Sequence, residues 1–185
     1  MGILPLYYPG QMLPRPILLR GTVLSILFLA ALGMFAGSKA KEPAPRFNAR
    51  TTEGEKFTND SVKGKVVLLE FWTTWCVYCF EEAGLVDQIN HEFREKGLIV
   101  LAVNVAESKK TVKKYLDLHP RASRIVLTDD TNLAAMYEAT VYPIYVVIDR
   151  DGNIAGTQRG AGGEDALRDL LASGGIGSKE ESDKQ

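Results

Sequence analysis

A chain of 185 residues is long enough for one globular domain with appendages, and a net charge of −1 gives it no basic surface of the kind nucleic acid requires. Its apolar share, 45%, is that of a soluble domain with a real core. Two cysteines are too few for a disulfide-stapled scaffold. His91 and His119, the only histidines, lack the spacing that would complete a structural zinc site with those cysteines, so no metal is expected.

The first forty residues contain Arg15, Arg20 and Lys39 and no acidic residue, and the two arginines precede an apolar run over residues 21–36. A basic flank, an apolar run and then small residues, Ser38 and Ala40 around Lys39, follow the order of a targeting segment. The run, about sixteen residues, lies between a signal-peptide core and the ~20 of a membrane span. Residues 1–40 are therefore read either as a signal peptide cleaved after Ala40 or as a membrane anchor through residues 17–36. Both readings place the rest of the chain outside the cytoplasm.

Residues 41–46, which include Glu42-Pro43-Ala44-Pro45, read as an extended linker because each proline steers its predecessor away from helix. The folded domain is expected over residues 47–173. Short strands at 47–51 and 55–58 flank the Glu53-Gly54 turn, and Lys63-Gly64-Lys65 turns into a strand at 66–72. That strand is apolar on both faces except at Glu70, as suits a central, covered strand. A helix then runs to Lys96, with Gly97 as its cap and Leu85, Ile89 and Phe93 as its buried stripe. A second buried strand follows at 98–105. Ser108 caps a helix ending before Pro120, a short strand occupies 125–128, and another helix starts at Asp130 or Thr131 and ends at Tyr137. Tyr142-Pro143 leads into a strand at 144–148, Asp151-Gly152 turns a hairpin into 153–157, and a helix at 164–172 closes the domain. Residues 174–185, rich in glycine and charge, are expected to be a disordered polar tail.

The chemistry is expected in Phe71-Trp72-Thr73-Thr74-Trp75-Cys76-Val77-Tyr78-Cys79, where the apolar strand gives way to a helix. Two intervening residues put Cys76 and Cys79 on one helix face, close enough for a short-loop disulfide. The unpaired amides and positive dipole end of a helix N-terminus favour a thiolate at Cys76, which makes it the nucleophile and Cys79 the resolving partner. Covalent haem attachment would need histidine after Cys79, where Phe80 stands. A purely structural staple would gain little from so short a loop.

With Trp-Cys-x-x-Cys at this junction, the chain resembles the thioredoxin superfamily over residues 47–172. Gly64-Lys65-Val66-Val67-Leu68-Leu69-Glu70-Phe71-Trp72 and the added strand and helix before Tyr142-Pro143 are similar to the extracytoplasmic TlpA/ResA-type oxidoreductases. The resemblance implies an α/β, thioredoxin-like fold: a central mixed β-sheet flanked by helices on both faces, with an N-terminal short-strand extension and a central strand-helix insertion. It implies a monomeric thiol-disulfide oxidoreductase that needs no cofactor beyond the Cys76–Cys79 disulfide. Its partners would be protein dithiols and disulfides, with a membrane-embedded electron donor. It further implies a cis Pro143 facing the cysteines and offering an edge for substrate backbone, with Tyr142 beside it. Trp75 would shield the pair, Glu70 would stand where thioredoxins bury an aspartate beneath it, and Glu82 would match an acid common three residues after the second cysteine. Helix support by the dipole is an equal reading for Glu82.

Two departures bear on the redox direction and on the groove. Val77-Tyr78 lacks the proline that many reducing members carry between the cysteines, and Ile144 replaces a common threonine. Two other readings follow from similar folds. A thiol peroxidase would show Pro-x-x-x-Thr-x-x-Cys, which Thr73 fits and Leu69 does not. A copper-binding module would space the cysteines more widely and add a histidine. The lysines at 109, 110, 113 and 114 read as a solvated helix face, with a docking patch as the alternative.

Overall fold

The computed structural model describes residues 41–177, together with Gly2; the expected targeting segment and residues 178–185 lie outside the described residues. No helix among the described residues is long and apolar enough to cross a membrane.

The strands are β1 (Asn48–Thr51), β2 (Lys56–Thr58), β3 (Val66–Trp72), β4 (Leu98–Asn104), β5 (Arg124–Thr131), β6 (Ile144–Ile148) and β7 (Ile154–Arg159). They form one sheet in the order β2-β1-β5-β4-β3-β6-β7. At its centre β3 runs parallel to β4 and antiparallel to β6, and every residue of β3 is buried. This matches the continuous apolar run in the sequence, because a strand covered on both faces needs no polar side. The helices are α1 (Val77–Phe93), α2 (Lys109–Leu118), α3 (Leu133–Met136) and α4 (Gly163–Ser173). The result is a mixed sheet with helices on both faces.

Alternation along β3 divides the core. Val67, Leu69 and Phe71 pack with Phe47, Leu133 and Ala134, on the side of α3 and the N-terminal segment. Val66 and Leu68 pack with Val86, Ile89 and Phe93 of α1 and with Leu167 and Leu171 of α4. Trp72 continues this second face and joins Cys76, Cys79, Ala102 and Val112 of α2. The disulfide therefore rests on core rather than on a loop, and each large side chain buried there contributes about 1.5–3 kcal/mol.

Several boundaries differ from expectation. The buried stripe of α1 is Cys79, Glu82, Val86, Ile89 and Phe93, with Asn90 buried beside it, and Leu85 is only half-buried. An i, i+4, i+8 line drifts off the contact face, whereas alternating spacings of three and four stay on it. The regular α1 ends at Phe93, followed by a tighter turn at Arg94–Lys96 and the left-handed Gly97 at φ 94°. β5 extends to Thr131 because Thr131 pairs with Ala49 of β1 and its hydroxyl donates to the Asn48 carbonyl at 2.7 Å. That pairing holds Asp130 and Thr131 extended and shortens α3.

The linker and tail assignments also change. Ala44 N donates to the Gly152 carbonyl at 2.9 Å, and Ile154 N donates to that of Glu42 at 2.7 Å. Lys41 pairs with Asp149 at 2.7 Å. Residues 41–46 are thus extended, as the prolines dictate, but packed along the β6–β7 hairpin. At the other end Ile176 is fully buried in the cluster beneath α1, so ordered packing runs past residue 173.

Candidate active site

The site is built where β3 hands the chain to α1. Trp72 anchors the strand end, its carbonyl accepting from Val105 N at 3.0 Å. The following turn is fastened by Glu107, whose carboxylate accepts from Thr74 N at 2.7 Å, from the Thr74 hydroxyl at 2.5 Å and from Asn104 Nδ2 at 2.7 Å. Thr73–Trp75 therefore enter the helix from a fixed position.

Cys76 is the N-cap of α1, with extended backbone at φ −79°, ψ 105°, and its sulfur accepts from Cys79 N at 3.1 Å. A side chain in that place meets amide groups with no partner within the helix, and the same amide would stabilise a thiolate there. Cys76 and Cys79 form a disulfide with Cα atoms 5.2 Å apart. Cys76 is 7% exposed and Cys79 1%, so an incoming sulfur meets Cys76 first.

Around the pair the surface is apolar. Trp75 is 69% exposed and stands edge-on to Tyr142 at 5.6 Å, so it is a surface aromatic beside Cys76 and not a core tryptophan. Val77 and Tyr78 also face solvent. The Tyr142-Pro143 bond is cis, Pro143 is buried, and Tyr142 packs against the cluster that holds both cysteines.

The two predicted acids sit apart from this surface. Glu82 is buried: one oxygen accepts from the Tyr145 hydroxyl at 2.9 Å, and the other accepts from Gly162 N and Gly163 N at 3.0 and 2.7 Å. It thus caps the start of α4 from a different helix. Tyr145 is held well above its ordinary pKa by burial and by the neighbouring carboxylates Glu70 and Glu82.

Glu70 is fully buried on the α1 side of the sheet, opposite Tyr145 on β6 and Ala102 on β4. It does not emerge into solvent at the strand end. Arg121, from the loop after α2, donates to Glu70 Oε2 at 2.7 Å, and its guanidinium lies 5.7 Å from the Trp72 ring centre. Burial pushes the Glu70 carboxyl above the usual carboxylate range, with the Arg121 charge opposing and Asp87 and Glu82 reinforcing the rise. Glu70 Oε1 has no protein partner. Asp87 of α1 is held by Ala122 N, Ser123 N and the Ser123 hydroxyl, which fixes the loop that delivers Arg121.

Arg121, Glu107 and Tyr145 were not foreseen from sequence. For two of them the one local sign is position: Glu107 closes the turn after a buried strand, and Arg121 follows the proline after α2.

A capping cysteine joined to a buried partner one turn deeper, on a mixed sheet of this order, makes the protein a thiol-disulfide oxidoreductase with a thioredoxin-like fold. The chain belongs to the AhpC/TSA family, which it matches over residues 40–157. It is 34% identical over 121 residues to the thioredoxin-like protein YneN of Bacillus subtilis (strain 168), covering 64% of this chain and 70% of that one. With the thiol-disulfide oxidoreductase ResA of the same organism it shares 28% identity over 166 residues, 85% of this chain and 92% of ResA. A solved thiol:disulfide interchange protein of the thioredoxin family from Chlorobium tepidum TLS has the same fold, at a TM-score of 0.63 and 24% identity over 72% of this chain and 97% of that one.

Proposed function

We propose that the chain is an exported, monomeric reductant of protein disulfides, with Cys76 as nucleophile and Cys79 as resolving thiol. The observation that carries this reading is the difference in setting between the two sulfurs: Cys76 caps the helix at the surface, and Cys79 lies beneath it. In the reduced protein the Cys76 thiolate attacks a substrate disulfide, forming a mixed disulfide and releasing one substrate thiol. Cys79 then loses its proton, with Glu70 as acceptor, and attacks Cys76 Sγ. The pair closes and the second substrate thiol leaves, so two electrons pass from the dithiol to the substrate. No cofactor takes part.

In this reading Pro143 offers backbone edge to the substrate, while Trp75 and Tyr142 flank the reacting sulfur. A membrane-embedded dithiol donor returns the electrons. The order of residues 1–40, basic then apolar then small, supports action outside the cytoplasm, for example in a periplasm. The resemblance to TlpA/ResA-type proteins supports exported substrates whose cysteines must stay reduced, apocytochrome c among them during cytochrome c maturation. The deciding experiment is the midpoint potential of the Cys76–Cys79 couple against glutathione. We expect a value below about −200 mV, on the reducing side of protein disulfide isomerase; a value near −120 mV would mark a donor of disulfides instead.

A further inference from the structure

We propose that the polypeptide substrate continues from Cys76 into a groove between the first turn of α1 and the outer face of α2, and that the segment received there is apolar near its cysteine and acidic beyond it. The proposal rests on the disulfide-exchange reading above and names the substrate class for that same site.

The groove is made of two adjoining hollows, of about 290 and 460 Å³. The first is bounded by Cys76, Val77 and Phe80, the second by Lys110, Lys114 and Leu118, and Thr74, Tyr115 and His119 line both. A run of rings makes its floor: Tyr115 lies 4.7 Å from His119, which lies 5.2 Å from Phe80. Phe80 and Leu118 leave 52% and 71% of their surface open, an apolar strip leading away from the reactive sulfur. Such a strip gains stability when covered, and here the cover would be the chain that carries the reacting disulfide.

Charge decides what lies at the far end. Of the four neighbouring lysines, Lys113 is paired with Asp117 at 3.1 Å, and Lys109 and Lys113 line a separate hollow together with Glu53 and Asp117. Lys110 and Lys114, one turn apart on α2, line the groove instead. Among the described residues no carboxylate lines either hollow and neither lysine is in an ion pair; Glu107, bound to the neutral Thr74 and Asn104 groups, keeps its negative charge beside Thr74. Two ammonium groups that form no ion pair among the described residues, past an apolar floor, fit an acidic segment. A basic segment would meet repulsion there at low ionic strength.

The test uses the reduced full-length protein in mild detergent. Its substrates are homodisulfides of single-cysteine peptides with the same apolar residues beside the cysteine and either an Asp pair or a Lys pair further along. Attack on either sulfur is equivalent, and each turnover yields the oxidised protein and two peptide thiols. The acidic peptide should react about tenfold faster than the basic one at low ionic strength, within the range of electrostatic steering, and the ratio should fall toward one in high salt. Lys110→Glu with Lys114→Glu should invert the ratio; Lys110→Gln with Lys114→Gln, which disturbs α2 less, should bring it near one. Equal rates in the parent, or a ratio that survives both double variants, overturns the proposal. So does an unchanged ratio in the double variants accompanied, in a separate detergent-free sedimentation assay, by lost binding to anionic phospholipid vesicles, which would assign the face to a membrane surface. Failure of the parent to reduce even hydroxyethyl disulfide, which is too small to fill the groove, defeats the redox reading itself and the proposal with it.

Discussion

The Glu82 carboxylate, three residues past Cys79 on α1, accepts the amide of Gly163 at 2.7 Å from 81 positions further along the chain. The same side chain accepts the buried Tyr145 hydroxyl, so it joins the redox helix, the central sheet and α4 at one point. An acid favoured by its own helix dipole is here used at the start of another helix.

Glu82→Ala should therefore destabilise the fold by about 2–3 kcal/mol, mostly through the Tyr145 hydroxyl left without an acceptor, since water can serve the exposed Gly162 and Gly163 amides. Urea unfolding should show a lower midpoint with an unchanged slope. A midpoint equal to the parent's would mean the three hydrogen bonds contribute nothing net.

The roles of the two sulfurs give the second expectation. Cys76→Ser should abolish disulfide exchange, whereas Cys79→Ser should accumulate a mixed disulfide with substrate, visible on a non-reducing gel. Trapping through Cys76→Ser would reverse the assignment.

What the sequence disclosed and what it hid divide along a physical line. The covered strand and the capping Cys76 are local facts, readable from the apolar run of Val66–Trp72 and from the cysteine spacing, whereas the burial of Glu70 is implied by the resemblance to thioredoxins. The partner of Glu70 is not local. Arg121 lies 51 positions away in a polar loop, and only the folding of α2 and β5 against the sheet brings it under Trp72. Likewise the prolines of residues 41–46 do dictate extended backbone, but an extended chain also suits a free sheet edge. The edge strand β7, more than a hundred positions later, turns that linker into packed structure. Ile176, within the glycine-rich stretch expected to be disordered, is buried with side chains of the preceding α4 and with those of α1 and the sheet, which are far from it in sequence.

Glu107 supports the turn before Cys76 with three hydrogen bonds, two to Thr74 and one to Asn104. Glu107→Ala should cost about 1–3 kcal/mol, because the buried Asn104 amide and the Thr74 groups lose their acceptor. It should also slow the first attack by Cys76 severalfold, since a small misplacement of a reacting group is costly. Stopped-flow reduction of hydroxyethyl disulfide would show this; a variant with the parent's rate would make the clamp structural only.

The buried pair Arg121–Glu70 predicts a non-additive stability pattern. Both side chains are almost wholly out of solvent, at 3% and 0% exposure, so Arg121→Met leaves a carboxyl group without its counter-charge and should cost about 3–5 kcal/mol. Glu70→Gln with Arg121→Met should recover part of that loss, because Asp87 keeps its own bonds to Ala122 and Ser123. A double-mutant cycle in urea measures the coupling. Strict additivity would show the pair to be energetically independent despite the 2.7 Å contact.

The same pair fixes how the resolving step should depend on pH. Cys79, 1% exposed, must lose a proton before it can attack the mixed disulfide, and a carboxyl whose pKa is raised by burial is a better matched base than an ordinary one. Glu70→Gln should leave the first attack by Cys76 nearly intact and slow mixed-disulfide decay about tenfold or more near pH 7. The defect should shrink above about pH 9, where the thiol ionises unaided. Removing Arg121 takes away the charge that opposes the rise, so Arg121→Gln should move the increase in decay rate to higher pH, whereas Glu70→Gln should abolish that inflection. The stability effect has a definite sign as well. A carboxyl with a raised folded-state pKa contributes stability that is fully present below its unfolded value and lost as pH climbs through the folded one. Relative to the parent, Glu70→Gln should therefore gain stability with rising pH across that window. Stopped-flow decay of the mixed disulfide against pH is the decisive measurement, and identical profiles for Glu70→Gln and the parent would make Glu70 a buried structural partner of Arg121 with no part in proton transfer.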